Sequence, residues 1–368
     1  MHVLKIADTS LEKIINTTCQ VLSEGGLVIF PTETTYGAGV DATNQEAVDL
    51  LLAYKSRREG KPLSIAVPDS KSSERYVELN DQARALHEQF LPGPVTVISR
   101  SKENLATGVS SEFGTLGIRI PDYPLMLDIL RAFGKPVTAT SANASGKKRP
   151  YSIDDIISRL SDAQKSLISL VLDAGELPHN EPSTVIDTTL STPITLRQGS
   201  ALPTTSNAIT VTTFTEQETK QLAGTTILKH WNEVKDTGLL IALDGPLGAG
   251  KTIFTKGIAE FLQIADTITS PTYNYREEYT FQRHQTAGML FHLDVWKIDS
   301  AEQFALLQPE ELAKPNTIIV IEWFSQIHDF LVSHPRLNAL PRITITISED
   351  PQKRSRIFTI QESNVSSS

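Results

Sequence analysis

Eight consecutive residues constrain this chain more than any other stretch of it. Gly245, Pro246, Leu247, Gly248, Ala249, Gly250, Lys251 and Thr252 satisfy every specified position of the phosphate-loop pattern G-x-x-x-x-G-K-[ST]. An apolar run at 239–243 precedes them and a helical pattern at 252–262 follows. The loop therefore stands between a buried strand and a helix N-terminus, where phosphate binding needs it. Its glycines allow backbone N–H groups to turn inward around a phosphate chain. Lys251 is expected to reach the outer phosphates, and the Thr252 hydroxyl to ligate Mg2+. With Gly245, Gly248, Ala249 and Gly250, these residues form the expected ATP contacts. A loop of this kind commits its surroundings to an α/β domain with parallel strands.

That domain leaves much of the chain unexplained. At 368 residues the chain is too long for one ordinary core. The run 201–213 carries no charge and is rich in turn formers, which predicts a linker. We place domains at 1–203 and 213–352, a linker at 204–212, and a C-terminal strand with a polar tail at 353–368. In the first half, strand-like runs near 26–30, 63–67, 95–99, 116–120, 137–139, 168–172 and 185–187 alternate with helical patterns at 11–23, 47–57 and 81–90. In the second, a helix at 216–234 precedes the phosphate-loop strand. An irregular stretch, strands at 289–293, 317–321, 342–348 and 355–361, and a helix near 301–307 follow the loop helix. Both halves read as α/β.

Composition excludes several classes. No stretch approaches the ~20 apolar residues that span a bilayer, and no signal-type segment opens the chain, so no membrane partner is expected. The single cysteine, Cys19, rules out an internal disulfide and points to a reducing, cytoplasmic setting; it reads as core packing. A net charge of −9 argues against nonspecific nucleic-acid binding, which needs clustered cations.

Nucleotide hydrolysis needs an acidic group for the metal and a means of positioning water. Asp294 and Glu322 each end an apolar strand, where ligands of open α/β sheets bind. Trp323 fits core or a cap over the site equally well, and His292 reads as a structural histidine. These residues, with Ser270-Pro271-Thr272 and the opening Thr213-Phe214-Thr215-Glu216, resemble the TsaE family, P-loop ATPases of tRNA threonylcarbamoyladenosine synthesis. The resemblance spans about 211–350. It implies that Thr272 sits in a switch-like loop near the γ-phosphate, that Glu322 helps hold Mg2+ with Thr252, and that Asp294 and Trp323 support turnover. Trp296-Lys297 and Ser325 depart from the family pattern.

The first half has no phosphate loop but carries polar clusters at strand ends. Pro31-Thr32-Glu33-Thr34-Thr35-Tyr36-Gly37 offers hydroxyls and a turn. Lys55, Arg57 and Lys61 supply cations that read, taken singly, as solvent-facing. Arg119 lies within the apolar run Gly117-Ile118-Arg119-Ile120 and needs an anionic partner, protein or ligand. With Pro92–Thr96, Ser141-Ala142-Asn143 and Ser183-Thr184-Val185-Ile186-Asp187, these segments resemble in order the YrdC/TsaC family of L-threonylcarbamoyladenylate synthases. The resemblance implies a twisted α/β sheet with a positive concave face. It assigns Lys55, Arg57, Lys61, Thr115, Ser141, Asn143, Arg149 and Arg197 to ATP, with Lys55 and Arg57 catalytic. Thr32, Thr35, Arg119 and Ser183 go to threonine. Arg58, Tyr123 and the lack of a histidine at 63–67 depart from the pattern.

Together the two resemblances imply synthesis of threonylcarbamoyladenylate from L-threonine, bicarbonate and ATP, coupled to a P-loop ATPase. A separate TsaD/TsaB-like transferase complex would use the product, and tRNA would be met only indirectly. The rival reading is a non-catalytic RNA-binding module joined to a nucleotide-gated scaffold; the acidic balance and the strand-end acids oppose it.

Overall fold

Runs of aliphatic and β-branched residues build two sheets. The computed structural model describes residues 1–55, 63–143, 149–199, 208–271, 275–350 and 352–363. The chain divides into two units, Met1–Thr189 with Pro193–Thr204 and Leu190–Thr192 with Thr205–Ser368.

The first unit is built on an 11-stranded mixed sheet. Its central strands are Gly37–Gly39, Val137–Ser141, Ser64–Ala66, Thr115–Arg119, Val95–Ser101 and Thr184–Asp187, in that spatial order. Leu27, Ile29, Tyr54, Ile65, Ile118 and Val171 form one fully buried cluster. A second cluster gathers Ile14, Leu22, Ile129 and Leu130 from the helices Leu11–Ser23 and Pro124–Phe133. Pro124 opens the latter helix and Gly134, at φ 72°, closes it, the ordinary start and stop signals for a helix.

The second unit carries a seven-stranded sheet ordered Ala208–Thr213, Ser355–Ser363, Arg342–Asp350, Leu239–Asp244, Thr317–Glu322, Thr286–Asp294, Arg276–Arg283. The four inner strands from Arg342–Asp350 to Thr286–Asp294 are parallel. The register pairs Leu243 with Glu322 and Glu322 with Asp294. Asp244, Glu322 and Asp294 thus reach one edge of the sheet together, and the phosphate loop leaves from that edge. Leu240, Ala242, Leu293, Ile319, Ile321 and Phe304 fill the core beneath it.

Three expectations need correction. Residues 208–212, expected as linker, belong to the strand Ala208–Thr213, because the antiparallel strand Ser355–Ser363 pairs with all of it. The stretch expected to be irregular contains Arg276–Arg283, an edge strand paired with Thr286–Asp294. The helix expected at 216–234 is broken at His230 into Glu216–Lys229 and Trp231–Asp236.

Candidate functional sites

In the first unit the sheet aligns a polar row. Val97 pairs with Ile118, Thr96 with Val185, and Val185 with Arg197, which sets Thr96 beside Arg119 and leads across the strands to Arg197. Ser183 joins the row: its hydroxyl lies 3.1 Å from that of Thr96 and accepts from Arg197 Nη2 at 2.7 Å. Arg197 keeps exposed surface. Close protein on its inner side, followed by the positive charges of Arg119 and Arg149, lowers its guanidinium to about 10. Arg197 therefore sits in the positive field of Arg119 and Arg149, a field suited to carboxylate and phosphate.

The anionic partner of Arg119 is a protein group. Arg119 Nη2 donates to Glu33 Oε1 at 2.6 Å and to Thr34 Oγ1 at 3.1 Å. The pair is half made: Arg119 Nε and Glu33 Oε2 are both buried with no hydrogen-bond partner among the described residues. The loop carrying Glu33 is pinned on several sides. Thr32 Oγ1 donates to the Thr35 carbonyl at 2.7 Å, Thr35 Oγ1 to the Pro150 carbonyl, and Asn180 Nδ2 to the Glu33 carbonyl at 2.8 Å. Pro150 follows Arg149, whose Nη1 lies 3.5 Å from Glu181.

Lys55, expected at the solvent face, is buried. Its Nζ donates to the carbonyls of Ser141 and Asn143 at 2.7 and 2.6 Å. These neutral partners only partly offset the lost hydration, and burial lowers the ammonium to about 8. Three residues expected at ATP thus meet in one place. Thr115 does not join the arginine row. It stands at the far end of the Arg119 strand, about 13 Å away along the chain, with its hydroxyl 2.7 Å from that of Ser111. Arg57 and Lys61 lie outside the described residues. Composition and pattern gave no reason to single out Glu33 or Asn180, because their partners are distant in sequence.

In the second unit the phosphate loop has the expected backbone. Gly245, Gly248 and Gly250 have φ of 151°, 83° and 107°, conformations that side chains resist. A Cβ on Gly245 would lie 2.5 Å from the Ile347 carbonyl oxygen. Ala249 is buried. Lys251 opens the helix Lys251–Phe261 and is buried as well. Its Nζ donates to the carbonyls of Gly245 and Pro246 at 2.7 and 3.0 Å and sits 3.8 Å from the centre of the Trp323 ring. Burial lowers the Lys251 ammonium, while Glu322, Asp294 and Asp244 pull it back. The Trp323 ring therefore lies over Lys251 and also packs against the core cluster. It does so from a left-handed backbone, φ 63°, which a bulky residue rarely adopts and which concentrates at functional positions.

Thr252 Oγ1 donates to Glu322 Oε1 at 3.0 Å, and the same oxygen lies 2.9 Å from His292 Nε2. Glu322 and His292 are buried, so His292 supports Glu322 directly. A hydroxyl and a carboxylate oxygen side by side fit Mg2+, which takes one or two protein oxygens and completes its shell with phosphates and water. Asp294 Oδ2 accepts from Ser270 Oγ at 2.9 Å. Ser325, at a position where the TsaE pattern has another residue, donates from both N and Oγ to Asp244 Oδ1, at 2.9 and 2.8 Å. Thr272 lies outside the described residues.

Fold and sites define a class: an α/β domain with a row of arginines, followed in the chain by a P-loop domain. Comparisons with known proteins agree. The Sua5/YciO/YrdC profile, described as "Telomere recombination", matches residues 20–199, and the profile of "Threonylcarbamoyl adenosine biosynthesis protein TsaE" matches 213–357. A putative threonylcarbamoyl-AMP synthase of Methanocaldococcus jannaschii is 32% identical over 199 residues, covering 54% of this chain and 92% of that one. The threonylcarbamoyl-AMP synthase of Bacillus subtilis is 34% identical over 181 residues, 49% of this chain and 51% of its own length. The crystal structure of Pyrococcus abyssi Sua5 complexed with L-threonine aligns with a TM-score of 0.50 at 19% identity, covering 94% of this chain and 99% of that one, and speaks to fold alone. This chain belongs to the Sua5/YciO/YrdC family of threonylcarbamoyl-AMP synthases and carries a TsaE domain behind that module.

Proposed function

We propose that the first domain makes L-threonylcarbamoyladenylate from L-threonine, bicarbonate and ATP, and that the second hydrolyses ATP to support transfer of the threonylcarbamoyl group to tRNA by a separate TsaD/TsaB-like complex. The half-made Arg119–Glu33 pair carries the first part. Arg119 has a buried donor to spare, and its charge is felt at Arg197, so a carboxylate or phosphate placed there completes it.

In the reaction the threonine amine and bicarbonate form a carbamate with loss of water. A carbamate oxygen then attacks the α-phosphorus of ATP, the bond to the bridging oxygen of the β-phosphate breaks, and pyrophosphate leaves. No strong protein nucleophile is needed; the chain must orient three reactants and neutralise charge. Arg119 and Ser183, with Thr32 and Thr35 shaping the loop, hold the amino acid. Lys55, Arg149 and Arg197, with the backbone at Ser141 and Asn143, hold the nucleotide, and Arg57 and Lys61 are assigned to it by resemblance. In the second domain the phosphate loop and Lys251 bind ATP. Thr252 and Glu322 would hold Mg2+, which supplies neutralisation of phosphate charge when bound, and Asp294 and Trp323 sit where turnover occurs.

The test is incubation of the full chain with ATP, bicarbonate and L-threonine. Pyrophosphate should appear only when threonine is present, and Arg119→Ala should lower it by about a hundredfold or more. Pyrophosphate release that ignores threonine would remove the synthase reading.

A further inference from the structure

We propose that Arg356 is a phosphate-contacting residue of the second domain's nucleotide site, taking the terminal phosphates of a nucleoside di- or triphosphate. This rests on the reading of that domain as a nucleotide-binding P-loop module.

Topology brings Arg356 to the loop. Strand Arg342–Asp350 runs parallel to Leu239–Asp244, with Asp244 opposite Thr346. Strand Ser355–Ser363 returns antiparallel, with Arg356 opposite Glu349. Its first residues therefore stand at the sheet edge from which the phosphate loop departs. The side chain then lies across the loop itself: a Cβ built on Gly250 would meet Arg356 Cδ and Nε at 2.9 Å. Gly250 is the residue before the helix Lys251–Phe261, where backbone N–H groups face a bound phosphate.

Arg356 is also unfinished. Among the described residues its buried Nε has no hydrogen-bond partner, and no carboxylate forms an ion pair with it. Lys251, in contrast, is already held by two carbonyls and the Trp323 ring. A surface arginine with no role would keep its donors in water. One that seals a donor against a phosphate loop leaves a buried polar group unpaired until an anion arrives. The guanidinium fork matches phosphate oxygens, and an arginine supplied from the same chain is an established way to steady phosphate charge during transfer.

Calorimetric titration of the full chain with ADP and with the β,γ-imido analogue of ATP tests this. Arg356→Gln should weaken both on the order of ten- to a hundredfold, and Arg356→Lys should recover part of the loss, with thermal midpoints near that of the wild type. Unchanged affinity in Arg356→Gln would overturn the proposal. So would an equal loss in both variants together with a lowered midpoint, which would make Arg356 a packing residue. Lys251→Ala separates the two readings. If the wild type binds neither nucleotide, or Lys251→Ala binds as the wild type does, the P-loop reading itself fails. If Lys251→Ala is weakened and Arg356→Gln is not, only the role of Arg356 fails.

Discussion

Lys55 is the residue whose environment departs furthest from what its neighbours in sequence suggest. The segment Ala53-Tyr54-Lys55 reads as the exposed end of a helix, yet the ammonium is enclosed and held by two carbonyls. Its value falls from 10.5 to about 8 because burial disfavours the charge. The folded state then binds this proton less tightly than the unfolded chain. Its burial opposes folding fully below pH ~8, and that penalty fades as pH rises toward 10.5. Catalysis runs the other way, since a neutral amine cannot offset phosphate charge. Threonine-dependent pyrophosphate release should decline through pH ~8, and Lys55→Arg should move that alkaline limb upward, because a guanidinium stays charged there; a pH–rate profile of the two proteins checks both. The phosphate loop, by contrast, was legible from sequence because its chemistry dictates an unbroken spacing. Arg119 was legible only as a question. Its partner Glu33 lies 86 positions away, and no local pattern reports a contact at that range.

At the scale of elements, buried strands such as Leu239–Asp244 and Thr317–Glu322 announce themselves as continuous apolar runs. The edge strand Arg276–Arg283 does not. Its Arg-Glu-Glu opening looks like a polar loop, and only pairing with Thr286–Asp294 makes it a strand. The break at His230 was hidden too, and it has a consequence. His230 Nε2 lies 3.3 Å from Glu362 Oε1, and Lys229 Nζ lies 2.5 Å from the same oxygen. The end of helix Glu216–Lys229 is thereby clasped to strand Ser355–Ser363. Burial opposes a charge on His230, but contacts with Glu233 and Glu362 outweigh it and raise its value above 6.5. Those to His230 lead in holding Glu362 at about 2, against the opposing effect of burial. The carboxylate's contribution is complete above its ordinary 4.5 and is lost as pH falls through about 2. The imidazole's is complete below 6.5 and is lost as pH rises through its elevated value. Glu362→Gln should therefore cost about 1–2 kcal/mol in this domain, most clearly between pH 4.5 and 6.5; denaturant unfolding at several pH values reads the difference, and a loss that does not vary with pH would contradict the clasp.

Across the whole molecule, each proposed anion site draws its residues from a single unit. Arg119, Arg149, Arg197 and Lys55 belong to the first, and Lys251, Thr252, Glu322 and Asp294 to the second. Lys251→Ala should therefore abolish ATP hydrolysis by the rear domain and leave threonine-dependent pyrophosphate release within about twofold of the wild type. Loss of both activities would mean that the two sites are coupled.

The second sheet places Ser355–Ser363 between Ala208–Thr213 and Arg342–Asp350, so the first of its described strands has for its neighbour the last of them. During synthesis on the ribosome the front module can collapse as soon as it emerges. The rear one has to wait: until Ser355–Ser363 arrives, Ala208–Thr213 has no neighbour to zip onto and the turn ahead of Lys251 lacks one of its walls. A nascent or clipped chain would thus carry a folded first unit and a second unit with an open edge, exposed to proteolysis at its unpaired border.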